Sequence, residues 1–283
     1  MINFLKGQPS SDLLPVELFA KATASALAEP DAKVDMLQYG DELGTVEFRD
    51  NLASFLTKEY SMAVESRHLC PTSGASFGLQ HALSLLTRPN SVTKYCYFQE
   101  PTYFLAFDIF RDVGYELDQF VGVPDTQNQG LDVGYFETML AKHFPVPPPA
   151  PSNDNDSLVY SSVLYCVPTY ANPTGSILPE SQRQRLVQLA RKYNVLVVCD
   201  DVYDILTFAG QGATTNHSNG DHTNQTSSSP PPPPKRVVAY DLELDSAHPV
   251  VISNGSFSKL LAPGCRVGWL ECHEKLVQRL GAW

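Results

Sequence analysis

The sequence is short of positive charge for its length of 283 residues, with 20 lysines and arginines against 31 aspartates and glutamates and a net charge of −11. It has no basic stripe to offset electrostatic repulsion, so we expect no nucleic-acid partner and no binding to anionic membranes. Apolar runs of the roughly 18 residues that span a bilayer are also missing. The N-terminus lacks the apolar core of a signal peptide, and we therefore expect a cytoplasmic protein.

Paired cysteines are missing as well. Six cysteines are scattered along the chain without a CxxC pair, and several lie in apolar runs, as Cys166 and Cys199 do. This usage is typical of buried, reduced thiols. A chain of this length buries roughly 70–75% of its unfolded surface, so it needs neither disulfides nor a metal ion in order to fold.

The sequence does contain helix-like segments that alternate with short apolar runs. Amphipathic periodicity predicts helices over residues 14–28, 46–60, 77–87 and 179–193. Short apolar runs, rich in β-branched and aromatic residues, predict strands over residues 94–98, 163–167, 195–199 and 250–253. Buried strands that alternate with helices favour parallel pairing through crossover helices, and so an α/β fold.

Two segments interrupt this alternation. Residues 145–157 are proline-rich and then polar, and residues 210–235 combine polar residues with a run of five prolines. Neither segment has enough apolar surface to offset its ordering entropy, so we expect both to be disordered surface insertions. The proline run also fits a ligand of a proline-binding domain, although a tolerated loop insertion is the simpler interpretation.

A lysine near the end of the sequence carries the strongest chemical signal. Lys259 follows Ser256 and Ser258, and Arg266 stands seven residues beyond it. Serine hydroxyls and a guanidinium together form a phosphate site, and a lysine beside a fixed phosphate is well placed to form a Schiff base with an aldehyde on the same cofactor. Pyridoxal phosphate meets both conditions. Taken alone, such a lysine is more often a solvated surface residue.

Other residues match the further needs of that cofactor. Asp200 ends an apolar run and is a candidate partner for the pyridine nitrogen, because open α/β sheets bind ligands at the carboxyl ends of their strands. Alternation along the strand turns Asp201 away. Tyr203 and Asn172 are candidate donors to the ring oxygen. Each has a simpler interpretation, since Asp-Asp commonly caps a helix and Asn-Pro commonly forms a turn.

A glycine-containing turn precedes the helix predicted over 77–87. Ala75 and Ser76 lie in this turn, where free N–H groups and the helix dipole favour a phosphate, although a plain helix cap is the alternative. Tyr103 follows Glu100, Pro101 and Thr102, and its ring is either a stacking partner for a pyridine ring or an ordinary packing residue.

The order of these segments, SGAS, EPTY, NPTG, DDVY, SFSK and PGCRVG, resembles that of the class I/II aminotransferases, which are fold-type-I pyridoxal-phosphate enzymes. The chain is similar to the branch that holds aminoadipate, kynurenine and multi-substrate aminotransferases. The N-terminal segments INFLKGQP and LQYG also resemble that family, and NPTG and SxSKxxxPGxRxG are the specific signals. The resemblance covers residues 2 to about 280 apart from the two insertions.

This resemblance implies a role for each cofactor-site position. Lys259 is the implied catalytic residue, which forms the Schiff base and moves a proton between the substrate Cα and C4′ of the cofactor. Asp200 is implied to pair with the pyridinium, Tyr203 and Asn172 to bond the ring oxygen, and Tyr103 to stack on the ring. The phosphate is implied to lie among Ala75, Ser76, Ser256, Ser258 and Arg266.

Two further positions are implied to act at the substrate and at a second subunit. Gly7 is implied to lie in the segment that closes over the substrate, beside Asn172, and Tyr39 to reach the phosphate of the neighbouring subunit in a homodimer. The family's chain continues into a C-terminal small-domain portion, which carries an arginine for the substrate α-carboxylate. No residue here matches that arginine, so we expect an incomplete substrate site.

The implied architecture is a three-layer α/β/α sandwich with a mostly parallel sheet, the large domain of fold type I, beside an incomplete small domain. Residues 1–30 are the expected N-terminal segment of the small domain, and residues 31–283 the expected cofactor-binding domain. The implied activity transfers an amino group between an amino acid and a 2-oxo acid. A C–S β-lyase or cyclising synthase of the same fold, and an inactive cofactor-binding paralogue, remain alternatives.

Overall fold

The computed structural model describes residues 7–126, 129–150, 158–206, 233–244 and 247–281. Its strands are β1 (Leu69–Thr72), β2 (Tyr95–Glu100), β3 (Phe120–Thr126), β4 (Gly130–Leu131), β5 (Ser162–Cys166), β6 (Val195–Asp200), β7 (Val251–Ser256) and β8 (Gly268–Cys272). Its α-helices are α1 (Val16–Leu27), α2 (Ala32–Asp35), α3 (Val46–Tyr60), α4 (Ala75–Leu86), α5 (Leu105–Asp112), α6 (Val133–His143), α7 (Glu180–Tyr193), α8 (Val237–Leu242) and α9 (Glu274–Gly281).

The described strands form one eight-stranded sheet in the order β1-β8-β7-β6-β5-β2-β3-β4. The central strands β7, β6, β5, β2 and β3 pair in parallel. Strand β8 runs antiparallel to both β1 and β7, and β4 runs antiparallel to β3. The prediction of an α/β fold with a mostly parallel sheet is therefore confirmed, with antiparallel pairs at both edges that the sequence did not indicate.

The direction of the chain through the sheet reverses between β2 and β5. From β1 to β2 and β3 the chain moves one way, and from β5 to β6 and β7 it moves the other way. Because crossovers between parallel strands are right-handed, this reversal places α4 and α5 on one face and α7 and α8 on the other. The contacts agree, since α4 packs against α5, and α7 packs against α6 and α8. The chain thus forms the three-layer α/β/α sandwich.

The predicted elements correspond to observed ones, with shifts at their ends. The helix predicted over 46–60 is α3, with the same bounds. The helix predicted over 77–87 begins earlier, at Ala75, because Gly74 forms its N-cap at a φ of 96°, a conformation that favours glycine. Each predicted strand overlaps a strand of the sheet. The early start of α4 matters for the site, because it moves the first free N–H groups of the helix to Ala75 and Ser76.

The two predicted insertions fall partly outside the described residues. Residues 151–157 and 207–232 are not described, so disorder there stays a prediction. Residues 145–150 form neither helix nor strand. Lys235, at the predicted end of the second insertion, lies within the described residues and has contacts with the fold. Its Nζ lies 2.6 Å from Oε1 of Glu243, and its backbone oxygen accepts a hydrogen bond from Arg183.

The N-terminal helix α1 buries none of its side chains against the described part of the chain. Residues 7–31 include no buried residue, and Val16 and Leu18 are exposed apolar side chains. Burial begins at Ala32. This separation is compatible with a domain boundary near residue 30, which stays a prediction.

The cysteines are free thiols, five of them buried and Cys265 half-buried. Cys166 and Cys199 are both buried, as their apolar surroundings in the sequence predict, and they pair across β5 and β6. Within the described ranges, no helix is long and apolar enough to cross a membrane, and no group of three or more potential metal ligands occurs.

A group of charged side chains is buried where α3, β8 and the start of α8 meet. Arg236 donates two hydrogen bonds to the carboxylate of Glu271, and the two side chains are 4% and 2% exposed. The Arg236 Cζ lies 3.7 Å from the ring centroid of Tyr60, whose hydroxyl donates to Asp204 Oδ2 at 2.9 Å. Burial, and then the charge of Asp201, raise the pKa of Asp204. We call Arg236, Glu271, Tyr60 and Asp204 the Arg236 cluster.

We expect Arg236→Ala to lower the free energy of unfolding by about 3–5 kcal/mol, because it leaves buried carboxylates without a counter-charge. The matched control is Arg185→Ala, which breaks an ion pair with Glu137 whose side chains are 45% and 37% exposed. That pair is solvated, so its loss should cost less than about 1 kcal/mol. Urea unfolding of both variants measures the difference, and equal losses would contradict the assignment of Arg236 as the counter-charge.

Candidate active site

A pocket of about 220 Å³ opens at the carboxyl ends of the parallel strands. Its walls come from α4 and from the ends of β2, β5, β6 and β7, where the chain direction through the sheet reverses. Open α/β sheets bind their ligands at this position. The pocket brings together most of the predicted site residues, namely Ala75, Ser76, Tyr103, Asn172, Asp200, Tyr203, Ser256, Ser258, Lys259 and Arg266.

Gly7 and Tyr39 are the two predicted site residues that do not line the pocket. The backbone oxygen of Gly7 accepts a hydrogen bond of 3.1 Å from Lys259 Nζ, so the N-terminal segment lies beside the pocket. Tyr39 is 99% exposed. Its expected place is the phosphate of a neighbouring subunit, and that role stays a prediction.

One end of the pocket is built as a cradle for an anion. The N-terminus of the 12-residue helix α4 points into it, with Ala75 and Ser76 as its first residues. Arg266 lies across this helix start, and its Nη2 donates to the backbone oxygen of Ser73 at 2.9 Å. A Cβ at Gly74 would lie 2.5 Å from that Nη2, so glycine is what lets the guanidinium approach the helix.

Two serines complete the cradle from the end of β7. The Ser256 hydroxyl donates to Ser258 Oγ at 2.9 Å and accepts from the Ser258 backbone N–H at 3.1 Å. Both hydroxyls therefore keep a fixed position beside Lys259 and Arg266. Free helix N–H groups, hydroxyls and a guanidinium are the donors that bind a phosphate.

Asp200 is a buried acid in the pocket wall. Its Oδ2 accepts a hydrogen bond from the Tyr165 hydroxyl, and its Oδ1 is buried without a hydrogen-bond partner among the described residues. Burial raises the pKa of Asp200 to about 6 and the charge of Asp201 adds to the rise, while the Tyr165 hydrogen bond and the Lys259 charge oppose it. A buried carboxylate oxygen without a donor is a binding point for a protonated group.

The register of β5 and β6 explains which aspartate faces the pocket. Tyr165 pairs with Val198, and side chains alternate along a strand, so Tyr165 and Asp200 share one face of the sheet. Asp201 faces the other way, where the Ser253 hydroxyl donates to its Oδ2. The structure therefore places Asp200, and not Asp201, in the pocket wall.

The loop that carries Asn172 is fixed by Asp125 at the end of β3. Asp125 Oδ2 accepts hydrogen bonds from Thr174 Oγ1 at 2.6 Å and from Ser176 Oγ at 2.7 Å. Asn172 Nδ2 lies 3.5 Å from the Tyr203 hydroxyl oxygen, so both groups face the same part of the pocket. Several charge-assisted hydrogen bonds to one carboxylate hold this loop in a single conformation.

The sequence analysis missed two polar residues of the site, Tyr165 and Asn254. Tyr165 stands inside an apolar run and was indistinguishable from a core residue. Asn254 Nδ2 donates to the backbone oxygen of Ala75 at 2.9 Å and so ties β7 to the start of α4. Alternation was the available signal, because Asn254 precedes Ser256 by two positions and shares its face of β7. The apolar lining residues Leu79, Ile109, Val167 and Val202 were missed too.

Residues 1–283 match the family model described as aminotransferase class I and II. This chain belongs to the class I and II aminotransferase family. The family resemblance drawn from the motifs is therefore confirmed, and the α/β/α sandwich is the large domain of that family's fold.

Several relatives of this aminotransferase-family chain have names or structures. An uncharacterised Saccharomyces cerevisiae protein, YER152C, is 33% identical over 95% of this chain and 63% of its own length. Aromatic-amino-acid aminotransferase 1 of Thermococcus litoralis is 27% identical over 99% of this chain and 56% of its own length. The α-aminoadipate aminotransferase LysN of Thermus thermophilus, solved in complex with N-(5′-phosphopyridoxyl)-L-leucine, is 26% identical, with a TM-score of 0.67 over 98% of this chain and 57% of LysN. The chain thus spans 56–63% of the length of these relatives.

We expect Asp200→Asn to stabilise the cofactor-free protein at pH 8 by roughly 1–3 kcal/mol, and to have little effect near pH 4. The folded-state pKa of about 6 lies above the unfolded value of about 3.9, so the folded protein binds more protons between these values. The contribution of Asp200 to stability therefore falls as the pH rises through this window. Asparagine carries no charge and still accepts the Tyr165 hydrogen bond.

Urea unfolding at pH 4, 6 and 8 measures this effect. Asp50→Asn, on the exposed side of α3, controls for the loss of one negative charge. If Asp200→Asn lowered the free energy of unfolding equally at all three pH values, the ionised Asp200 would not destabilise the folded protein at high pH, and the prediction would be contradicted.

Proposed function

We propose that this chain is the cofactor-binding part of a pyridoxal-phosphate-dependent aminotransferase, which moves an amino group between an amino acid and a 2-oxo acid. The observation that carries the proposal is the unpartnered Oδ1 of Asp200, buried in the same pocket as Lys259 and an anion cradle. A protonated ring nitrogen supplies the donor that this oxygen lacks. The names of the relatives support the same activity.

The pocket fits each part of pyridoxal phosphate. The phosphate would lie in the cradle formed by the start of α4, Ser256, Ser258 and Arg266. The amine of Lys259 would hold the cofactor covalently through the carbon of its aldehyde. Tyr203 and Asn172 would donate to the ring oxygen, and the half-buried Tyr103 would lie against the ring face.

When bound, pyridoxal phosphate supplies an electron-withdrawing ring that makes the Cα–H bond of an attached amino acid acidic. Asp200 stays ionised beside the ring nitrogen and keeps that nitrogen protonated. Lys259 Nζ accepts the proton from the substrate Cα and later releases it. Asp125 holds the Asn172 loop, so that the amide of Asn172 keeps its place through the reaction.

The substrate side of the site rests on fewer groups. The cations that line the described pocket are Lys259 and Arg266, and both are assigned to the cofactor. The partner of the substrate α-carboxylate is therefore unassigned. We infer that the segment of Gly7 closes over the substrate beside Asn172, and the hydrogen bond from Lys259 Nζ to Gly7 supports this position.

We also propose a homodimer in the cytoplasm. The exposed ring of Tyr39 is free to reach the phosphate of a neighbouring subunit, as the family resemblance implies. Free, mostly buried cysteines support a reducing compartment. The acidic composition favours small-molecule substrates over nucleic acid as partners.

Borohydride reduction of the chain with bound pyridoxal phosphate should fix the label on Lys259, because Lys259 lines the same pocket as the anion cradle and Asp200. Peptide mapping identifies the labelled lysine. Lys259→Ala should lose the label, whereas Lys275→Ala, which removes a half-buried lysine outside the pocket, should keep it. A label on any other lysine overturns the assignment.

Transfer of one amino group to the bound cofactor tests the activity itself. The chain with bound pyridoxal phosphate is mixed with glutamate and with a panel of other amino acids. We expect the cofactor to convert to its amine form, with release of the 2-oxo acid in equal amount. Ammonia and a thiol from a cysteine conjugate would instead indicate a β-lyase, and an unchanged bound cofactor would overturn the proposed amino transfer for this chain.

A further inference from the structure

We propose that Tyr165 is a positioning residue that orients the carboxylate of Asp200, with one oxygen held by the tyrosine and the other directed at the cofactor ring. This inference rests on the proposed function only in one respect, namely that the ring beside Asp200 is the pyridine ring of pyridoxal phosphate. The hydrogen bond between the two side chains is a property of this chain alone.

Tyr165 is placed for this by the strands that carry it. It lies on β5, is 1% exposed, and packs its ring against Phe98 of β2 at 6.3 Å between centroids. Its hydroxyl reaches diagonally across to Asp200 on β6, since the register pairs Tyr165 with Val198, two positions before Asp200. The hydroxyl therefore contacts Asp200 on their shared face of the sheet, and it occupies Oδ2 while Oδ1 has no partner among the described residues.

The direction of this hydrogen bond is fixed. Burial, and then the charge of Asp200, raise the pKa of Tyr165, so the phenol keeps its proton and acts as the donor. Its single proton satisfies Oδ2 of Asp200, while Oδ1 has no partner among the described residues. The tyrosine thus determines which oxygen is occupied and which remains for a ligand.

The charge of Asp200 depends on the same contact. The titratable groups around it are Asp201, which directly follows β6, and Lys259, Tyr103, Tyr203 and Tyr165. Burial raises the pKa of Asp200 to about 6, and the Tyr165 hydrogen bond is the largest effect that lowers it. Without the hydroxyl, the pKa of Asp200 would rise and the carboxyl group would stay protonated up to a higher pH. A protonated carboxyl group is a poorer partner for a protonated ring nitrogen.

The test removes the hydroxyl and follows Asp200 in the cofactor-free protein. Infrared titration of carboxyl groups, with Asp200→Asn subtracted to assign the band, gives the protonation midpoint of Asp200. We expect Tyr165→Phe to raise this midpoint by about one pH unit or more, a tenfold change in the protonation equilibrium. Tyr165→Leu, a second variant without a donor, should give the same rise.

Tyr160→Phe is the matched control. Tyr160 is fully buried just before β5 and donates its hydroxyl proton to the backbone oxygen of Pro249, so the change removes one buried hydrogen bond elsewhere. A role of Tyr165 in packing alone predicts that Tyr165→Phe and Tyr160→Phe leave the Asp200 midpoint equally unchanged. That result would overturn the proposal.

Cofactor affinity separates this inference from the proposed function. We expect the dissociation constant for pyridoxal phosphate to rise about fivefold in Tyr165→Phe at pH 6 and by less at pH 8, where Asp200 is ionised in the variant too. In an Asp200→Asn background, Tyr165→Phe should have no further effect. If the protonation midpoint of Asp200 shifted while the affinity for pyridoxal phosphate stayed unchanged, the role of Tyr165 toward Asp200 would be supported. The same result would overturn the proposal that Asp200 is the partner of the cofactor ring.

Discussion

The site depends on one constraint, the parallel pairing of β2, β5, β6 and β7. Parallel strands end at the same edge of a sheet, so the residues that follow them meet, however far apart they stand in the chain. Tyr103, Asn172, Asp200 and Ser256 each lie at or shortly after the end of one of these strands, and all four line one pocket. The reversal of chain direction between β2 and β5 opens the crevice that these residues line.

The same sheet separates two neighbouring acids. Asp200 and Asp201 are adjacent in sequence and both are buried, yet their side chains point to opposite faces of the sheet, toward Tyr165 and Ser253 respectively. Each carboxylate has one oxygen that accepts a hydrogen bond, from Ser253 for Asp201 and from Tyr165 for Asp200, and one buried oxygen with no partner in the described chain. Of the two acids, Asp200 is the one that lines the pocket. Their mutual repulsion is part of what makes Asp200 a costly group in the cofactor-free protein. The fold accepts this cost for Asp200 at a position that lines the pocket, where a ligand can relieve it.

Much of the candidate site could be predicted from the sequence because its residues lie in short motifs directly after apolar runs. Lys259 with its serines and Arg266, or Asp200 with Tyr203, are local patterns that need no knowledge of distant contacts. The position of strand β8 between β1 and β7 could not be predicted from the sequence. Its pairing with β1 places Glu271 opposite Leu69, which lies far away in the chain. Spacing along the chain carries no information about such a pairing.

The residues that support the site were also hidden, for a physical reason. Tyr165 lies in a run of buried strand residues, where a phenol and a core aromatic residue give the same pattern. Asp125 acts on a loop about 50 positions away through the hydroxyls of Thr174 and Ser176. The role of a side chain that positions another one depends on contacts made in the folded structure. The residues next to it in the sequence do not reveal these contacts. The roles of the pocket residues toward the cofactor remain predictions.

The Arg236 cluster affects how this part of the molecule unfolds locally. It joins α3 through Tyr60, the segment after β6 through Asp204, the start of α8 through Arg236, and β8 through Glu271. If one of these elements unfolded locally while the others stayed folded, buried charged groups on the remaining elements would lose their partners. Local fraying on this side is therefore suppressed, and the four elements behave as one cooperative unit that opens only with the sheet itself. Because Asp204 adjoins Tyr203, we expect slow amide hydrogen exchange on that side of the pocket.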